Sequence, residues 1–354
     1  MSSQKSYLIL GGSGFIARHV LAYLADESTT QSITIADKLP FELSNPTPSQ
    51  TEILENQELC SFIQADLTRQ DHLDRVFNQK FDTIINCAGT SELGLDPEIY
   101  TKNIVQLAKL TVQRAKNAHY VYISDAKVYK ADTKSLSESS KIQPQNALAA
   151  AHLEAENVVK SLKNSLILRV SGVYGPGERF CVMPRVVLAS LYQLKLKTVL
   201  KLPFTAKTSF STVHVRDVAK FACSSISGVF NVSDPGFTTL NDINDILMTI
   251  YKNDLKIEFL SGAVNLALKA ATKLAAESIN QQHMKPWGEL CKELKLESDL
   301  SPFMSYESLQ EANFNIDGTA ISKATGEEYR HQKINAGLVL EEINFWRKLK
   351  ALPE

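Results

Sequence analysis

Short apolar runs and helix-length amphipathic segments alternate over the first half of the chain. Six runs rich in β-branched and aromatic residues are predicted to be strands: 7–10, 33–36, 61–64, 83–86, 120–123 and 166–169. In the segments between them, apolar residues recur three or four positions apart, which predicts helices at 17–26, 70–77, 100–118 and 147–162. This alternation is typical of a doubly wound α/β fold with a parallel sheet.

After about residue 169 the pattern is less regular. It predicts, in order, a turn, a helix, a short β piece, a strand and a second helix at 174–177, 182–194, 209–215, 228–232 and 240–251. Thr238 or Thr239 is expected to open the last helix. We therefore predict a sheet domain over residues 1–170 and a smaller C-terminal lobe over 171–354, with segments at about 228–250 returning to the first domain.

Charge and cysteine content exclude several classes of site. The chain has 354 residues, and 38 Lys and Arg against 39 Asp and Glu leave a net charge of −1, so no overall field favours nucleic acid or an anionic membrane. The five cysteines are widely spaced and include no CxxC pair. This is expected of reduced thiols rather than a disulfide framework or a zinc site. We predict no metal ligands, no nucleic-acid partner and a cytoplasmic location.

One apolar stretch, residues 259–276, raises the question of a membrane. It contains Lys269 and Lys273, so a spanning helix is not expected. Its apolar positions lie on one face of a predicted helix: Leu260, Val264, Ala267, Ala271 and Leu274. Such a face usually packs on the core of its own chain. The alternative is a lid over a lipophilic substrate or a contact that makes the protein peripheral to a membrane.

Glycines directly follow the first predicted strand. Residues 11–17, Gly-Gly-Ser-Gly-Phe-Ile-Ala, fit a GxxGxxA pattern and open the next helix. Glycines let the backbone approach a pyrophosphate, and the amides and dipole of the helix N-terminus stabilise its charge. We therefore predict that Gly11, Gly14, Phe15 and Ile16 bind the diphosphate of a dinucleotide. The alternative is a tight structural turn whose pocket is unused.

Asp37 ends the second predicted strand, about where a ribose-binding acid is expected in a dinucleotide site. Its carboxylate can accept hydrogen bonds from ribose hydroxyls and would repel a 2′-phosphate. The residue therefore favours NAD over NADP as the cofactor. Lys38 beside it softens this preference, and Asp37 has the alternative role of capping the next turn.

Several further motifs accompany these residues. They lie at 65–68, 86–89, 173–177, 213–219 and 230–232. Together with the glycine motif they resemble the extended short-chain dehydrogenase/reductase (NAD-dependent epimerase/dehydratase) superfamily over about residues 6–250. Residues 175–179 and the 259–276 helix look most like its 3β-hydroxysteroid and sterol-4α-carboxylate 3-dehydrogenases, with nucleotide-sugar epimerases next.

The resemblance implies a Rossmann sheet that binds NAD, with the C-terminal lobe as the substrate lobe. It places Asp66 against the adenine and Ala88 and Gly89 along the cofactor groove. Asp66 has the alternative of capping the helix that begins near Thr68. The expected ligands are the dinucleotide and a small hydrophobic or sugar-nucleotide molecule, and a homodimer is left open.

The catalytic residues of that superfamily are missing from their usual positions. Its members use a Ser or Thr that polarises the substrate and a YxxxK pair in which Lys lowers the Tyr pKa for proton transfer. The spacing before Tyr129 places Asp125 at the Ser/Thr position. The Leu-x-x-Glu segment at 153–156 places Leu148 at the Tyr position and His152 at the Lys position.

Three hypotheses for the function follow. The first, which we favour, is a protein that binds NAD(H) without turnover, as a sensor, scaffold or partner-binding protein. The second is an NAD-dependent oxidoreductase or epimerase that uses Asp125 and His152 as a substitute acid and base, with Tyr129 or Ser124 nearby. The third is a structural subunit without a nucleotide, against which the intact glycines and Asp37 argue. Asp125 and His152 also have a structural interpretation, as a turn acid and a partly solvated helix residue.

Overall fold

The predicted strands are present and most of them join one sheet. The computed structural model describes residues 4–115, 117–252, 255–310 and 313–354, so the first three residues of the predicted domain 1–170 lie outside it. The strands of the described residues are β1 (Lys5–Leu10), β2 (Thr30–Asp37), β3 (Cys60–Gln64), β4 (Thr83–Asn86), β5 (His119–Asp125), β6 (Ser135–Leu136), β7 (Ser165–Val170), β8 (Gly172–Tyr174), β9 (Leu200–Leu202), β10 (Thr212–His214), β11 (Gly228–Val232), β12 (Ile257–Phe259) and β13 (Asn315–Ile316). The six strands predicted in the first half and the strand at 228–232 are confirmed.

Seven strands form a parallel sheet in the order β11-β7-β5-β4-β1-β2-β3. Leu10 of β1 pairs with Ala36 on one side and with Asn86 on the other. The chain builds outward from β1 through β2 and β3, then returns and builds β4, β5, β7 and β11 on the opposite side. The order therefore reverses between β1 and β4, and ligands of open α/β sheets bind at the carboxyl ends of strands at such a point. The doubly wound fold is confirmed.

Helices cover both faces of the sheet and build the second lobe. They are α1 (Phe15–Asp26), α2 (Pro48–Glu55), α3 (Gln70–Val76), α4 (Pro97–Tyr100), α5 (Leu107–Ala115), α6 (Ala147–Val159), α7 (Met183–Leu191), α8 (Val215–Ala222), α9 (Leu240–Ile250), α10 (Gly262–Ala270), α11 (Thr272–Leu294), α12 (Thr319–Thr325) and α13 (Ala336–Lys348). The predicted helix 100–118 is divided, because a π-helical segment over Thr101–Gln106 separates α4 from α5, and Lys116 lies outside the described residues.

Three hydrophobic cores hold these layers together. α1 and α8 pack on one face of the sheet, and α3, α5 and α6 pack on the other. The third core joins α7, α9 and α13 around Trp346 in the C-terminal lobe. Thr239 caps α9 by accepting a hydrogen bond from the amide of Asp242, as expected for one of the two predicted caps. Of the segment predicted to return to the first domain, β11 joins the central sheet and α9 packs in the lobe, so the boundary at residue 170 stays a prediction.

The stretch at 259–276 differs from its prediction. Its first residue belongs to β12, and its helical part is broken at Ala271 into α10 and α11. The predicted apolar face is open to solvent, with Val264 43% and Leu274 70% exposed. α11 instead buries residues beyond the predicted stretch, among them Trp287. The expectation that this face packs on the chain's own core is therefore wrong, and the side chain of Lys269 lies outside the described residues.

Candidate functional site

The loop between β1 and α1 lies at the carboxyl edge of the sheet, and packing requires two of its glycines. Gly11 has a φ of +74°, and a Cβ there would lie 2.6 Å from Cα of Ala88. A Cβ on Gly12 would overlap with Cγ2 of Ile35. These two glycines therefore allow the loop to lie close against its neighbours, whatever it binds.

Gly14 is different, because the space beyond it is open. It is exposed and has a φ of −69°, which any residue can adopt. Apart from its chain neighbours, the only described atom within 4 Å of an added Cβ is the carbonyl oxygen of Gly11, at 3.0 Å. Gly14 is the N-cap of α1 and supplies no side-chain cap to the first-turn amides, which begin at Phe15 and Ile16. Free amides beside open space fit a diphosphate.

Asp37 links this loop to the end of β2. One carboxylate oxygen accepts a hydrogen bond from the amide of Ser13 at 3.1 Å, and the other accepts one from the amide of Leu39 at 2.9 Å. The predicted capping role is thus present. Because each carboxylate oxygen can accept a second hydrogen bond, the same geometry still allows a pair of ribose hydroxyls to bind.

Asp66 lies beside a cleft next to the end of β3. The cleft has a volume of about 570 Å³, and Lys38 and Ala65 also line it. Asp66 accepts hydrogen bonds from the amide of Thr68 at 3.0 Å and from its hydroxyl at 2.7 Å, and these bonds lower the pKa of the carboxyl below its usual value. Asp66 therefore closes a local turn, while α3 begins four residues later at Gln70.

Ala88 and Gly89 follow β4 on the other side of the switch point. The amide of Ala88 donates to the side-chain oxygen of Asn86 at 3.0 Å, and Ala88 lies against Gly11. Gly89 is exposed, and apart from its chain neighbours no described atom lies closer than 3.5 Å to a Cβ built on it. The two residues thus border the same crevice as the glycine loop, although no observation tests their role as cofactor contacts.

The helix α6 carries the residues that replace the usual Tyr and Lys. Asn146 caps it by accepting a hydrogen bond from the amide of Ala149, and Leu148, His152 and Glu156 follow at intervals of four along one face. Leu148 is 5% exposed and belongs to the core between the sheet and α5. A buried alkyl side chain at this position has no proton to transfer.

His152 is fixed by a partner on the neighbouring strand. Its Nδ1 lies 2.8 Å from the hydroxyl of Tyr122 in β5. Burial lowers the pKa of His152, and the charges of Asp125 and Glu156 act in the opposite direction. Asp125 accepts a hydrogen bond from the amide of Lys127 at 2.7 Å, so the structural interpretation of this acid as a turn residue is also present. No hydrogen bond joins Asp125 to His152 within the described residues.

Ser124 and Tyr129, expected near a substitute acid and base, belong to a buried polar network. Ser124 donates to Glu156 at 2.7 Å, and Arg169 forms a two-pronged ion pair with the same carboxylate at 2.6 and 2.9 Å. Arg169 also donates to the hydroxyl of Tyr129, which donates to Asn231 at 2.8 Å. Burial opposes ionisation of Glu156, yet the Arg169 contacts hold its pKa below the usual value. This ion pair was not predicted, although an acid on the apolar face of α6 is a signal for a buried partner.

A second polar cluster joins the end of β10 and the start of α8 to the segment before α13. His214 is fully buried and caps α8 by accepting a hydrogen bond from the amide of Arg216 at 3.2 Å. It stacks on His331, whose Nδ1 lies 2.8 Å from Asp217. The ligand atoms of these three residues lie within 4.8 Å of one another, which is a grouping that sequence reasoning missed. Asp217 also accepts the amides of Arg330 and His331, so its oxygens already hold loop backbone in place.

Comparison with known proteins identifies the family. The sequence profile of the NAD dependent epimerase/dehydratase family matches residues 7–232, which include the sheet, the glycine loop and α6. The chain belongs to this family. The predicted resemblance to this superfamily is thereby confirmed, and so is NAD as the family's cofactor.

Curated relatives include a dehydratase and a member of the sterol-4α-carboxylate 3-dehydrogenase branch that the motifs suggested. A dTDP-D-glucose 4,6-dehydratase from Bos taurus is 28% identical over 193 residues, which are 50% of this chain and 53% of the relative. A decarboxylating sterol-4-alpha-carboxylate 3-dehydrogenase from Saccharomyces cerevisiae is 28% identical over 217 residues, 56% of this chain and 59% of the relative. The chain thus spans little more than half the length of these relatives.

Solved structures of the family share the fold over nearly the whole chain. A UDP-glucuronic acid 4-epimerase from Bacillus cereus, in complex with UDP-glucuronic acid and NAD, aligns with a TM-score of 0.69 at 17% identity, covering 97% of this chain and 99% of its own. WbmG from Bordetella bronchiseptica, in complex with NAD, aligns with a TM-score of 0.67 at 15% identity, covering 99% and 96%. At these identities the likeness shows the fold alone.

Two further observations concern membrane-spanning helices and the state of the cysteines. None of the described helices is long and apolar enough to cross a membrane. The five cysteines are free thiols, in agreement with their spacing in the sequence. The compartment, the oligomeric state and a second ligand stay predictions.

Proposed function

We propose that this protein is a member of the family that binds NAD(H) but does not carry out the chemistry that depends on the usual Tyr and Lys. The observation that carries the proposal is the face of α6. Leu148 is buried in the apolar core, and His152 is held by Tyr122 through its ring nitrogen. A family member that binds NAD(H) without turnover acts as a sensor, a scaffold or a partner-binding protein.

The cofactor half of the proposal is supported by the glycine loop. Open space at Gly14, the uncapped first turn of α1 and the carboxylate of Asp37 lie along the carboxyl edge of the sheet, next to the point between β1 and β4 where the strand order reverses. NAD supplies hydride-transfer chemistry when bound. The residues of this chain would hold its diphosphate at Phe15 and Ile16 and its adenosine ribose at Asp37.

Calorimetric titration of the purified protein with NADH and with NADPH tests this proposal. We expect NADH to bind more tightly, because the carboxylate of Asp37 would repel the 2′-phosphate of NADPH. Equal affinities would refute the role given to Asp37. Failure of both nucleotides to bind would refute the proposed function itself.

A second candidate function is an NAD-dependent oxidoreductase or epimerase with a substitute acid and base. The observation that favours it is the electrostatic interaction between Asp125 and His152, which opposes the effect of burial on the His152 pKa. Its substrate would be a small hydrophobic or sugar-nucleotide molecule. It predicts turnover that is lost on removal of either side chain, with a pH dependence governed by the ionisation of His152.

A further inference from the structure

Tyr122 and His152 form a hydrogen-bonded pair beside the crevice. The phenol oxygen and Nδ1 are 2.8 Å apart, and the two ring centroids are 5.9 Å apart at an interplanar angle of 43°. Tyr122 is only 2% exposed, so its hydroxyl cannot reach a ligand in the open cleft. The phenol therefore acts on a ligand only through the imidazole.

The direction of this hydrogen bond follows from the surroundings of the two groups. Burial raises the pKa of Tyr122 well above its usual value and lowers that of His152, so both groups are neutral near pH 7. A neutral imidazole has one donor and one acceptor nitrogen. Within the described residues, Nδ1 is the partner recorded for the Tyr122 hydroxyl, and a buried O–H without an acceptor is costly. The phenol therefore donates to Nδ1, and the imidazole proton lies on Nε2.

The Nε2 atom of His152 is not fully buried. No hydrogen bond joins it to a described residue, and it is not among the fully buried polar atoms that lack a partner. The imidazole packs beside the carboxyl end of β5, close enough to Asp125 to feel its charge. This is the edge of the sheet that also carries the glycine loop after β1 and Ala88 after β4.

We propose that Tyr122 is a positioning residue that fixes His152 as a neutral Nε2–H donor for an uncharged oxygen, a hydroxyl or carbonyl group, on a ligand at the end of β5. This inference rests on the proposed NAD(H) site. The diphosphate at α1 and the ribose at Asp37 place the adenosine half on the β2 side of the switch point. The acceptor then belongs to the nicotinamide riboside half.

The tautomer can be measured directly, with or without a cofactor. The chain has seven histidines, so selective ¹⁵N-histidine labelling gives few signals, and the His152→Ala variant assigns those of His152. We expect Nδ1 to be unprotonated and Nε2 to be protonated in the wild type at pH 7.5. The Tyr122→Phe variant should show a mixture of both tautomers, because it removes the donor to Nδ1.

Nucleotide binding supplies the second readout. We expect Tyr122→Phe and His152→Ala to weaken NADH binding about threefold to tenfold, which corresponds to one neutral hydrogen bond. Binding of ADP, which lacks the nicotinamide riboside, should be unchanged. The matched control is Tyr120→Phe, because Tyr120 is a buried phenol of the same strand that contacts Asn86 and Thr111 instead of His152. It should leave the tautomer and the ratio of NADH to ADP affinity as in the wild type.

Three results would overturn the inference. They are a wild-type imidazole protonated on Nδ1, a tautomer that does not change in Tyr122→Phe, and an equal loss of NADH and ADP affinity in both site variants. A wild-type protein that binds no NADH would refute the proposed function and the ligand contact together. The tautomer would then still decide whether Tyr122 positions His152.

Discussion

A single methyl group at Gly14 should separate cofactor binding from folding. The φ of this residue is −69°, which alanine adopts without backbone strain. Among the described atoms beyond its chain neighbours, the new Cβ would meet only the carbonyl oxygen of Gly11, at 3.0 Å, a close contact that a shift of a few tenths of an ångström relieves. Alanine is a poorer N-cap than glycine by less than about 1 kcal/mol. We therefore expect the free energy of unfolding of Gly14→Ala to fall by no more than about 1 kcal/mol.

The same methyl group would enter the space that a diphosphate needs above the first turn of α1. A hydrogen bond to a charged group contributes roughly 1.5–3 kcal/mol, and each 1.4 kcal/mol corresponds to about a tenfold change in affinity. Displacing one phosphate oxygen from the amide of Phe15 or Ile16 should weaken NADH binding about tenfold or more. Gly14→Val, with a larger side chain, should abolish binding while the protein stays folded.

Calorimetric titration with NADH and urea unfolding followed by circular dichroism measure the two effects on the same samples. The control is Gly12→Ala, whose Cβ would overlap with Ile35, so this variant should lose stability. A folded Gly14→Val protein with unchanged NADH affinity would refute the reasoning. Residues 11–17 would then form a turn with no role in binding.

Three further substitutions test charges in the structure. Asp37→Ala should weaken NADH binding about tenfold or more and NADPH binding less, measured by calorimetry, and an equal loss for both would contradict the assignment. Glu342 is fully buried with one unpartnered oxygen, and burial together with Glu178 raises its pKa well above the usual value. Its stabilising contribution is therefore lost as the pH rises, so Glu342→Gln should gain stability over the wild type at pH 8 relative to pH 5 in urea unfolding. Burial lowers the pKa of His214 to about 2, so the wild type should lose about 1.4 kcal/mol per pH unit from this residue as the pH falls below about 6.5. His214→Asn keeps an N-cap acceptor, and its unfolding free energy should fall less between pH 7 and pH 5.

The sheet and the glycine loop could be predicted because their signals are local. Each strand is a short apolar run between helix-length segments, and the loop after β1 combines three glycines with an acid one strand later. The strand at 83–86 agrees with its predicted bounds, since an apolar run buried on both faces leaves little choice of conformation. In the same way, the Leu-x-x-Glu segment at 153–156 allowed Leu148 and His152 to be placed on one helix.

The side-chain partners at the site could not be predicted, because they depend on how α6 packs on β5. Tyr122 meets His152 across 30 positions of sequence, and nothing in the spacing of either residue specifies that contact. The ion pair between Glu156 and Arg169 had a weak signal, since Glu156 continues the apolar face of α6. At 259–276 the periodicity correctly predicts helical structure. It could not predict the break at Ala271 or the burial of later residues, because both depend on tertiary packing.

The most direct test of the central claim is a cofactor-fluorescence screen of the NADH-loaded protein against a panel of carbonyl acceptors, 3-ketosteroids and 4-keto nucleotide sugars. We expect bound NADH fluorescence to persist, with no oxidation for any member of the panel, in the wild type and in Asp125→Ala and His152→Ala alike. Oxidation of NADH in the wild type that disappears in both variants would contradict it and establish Asp125 and His152 as a working acid and base.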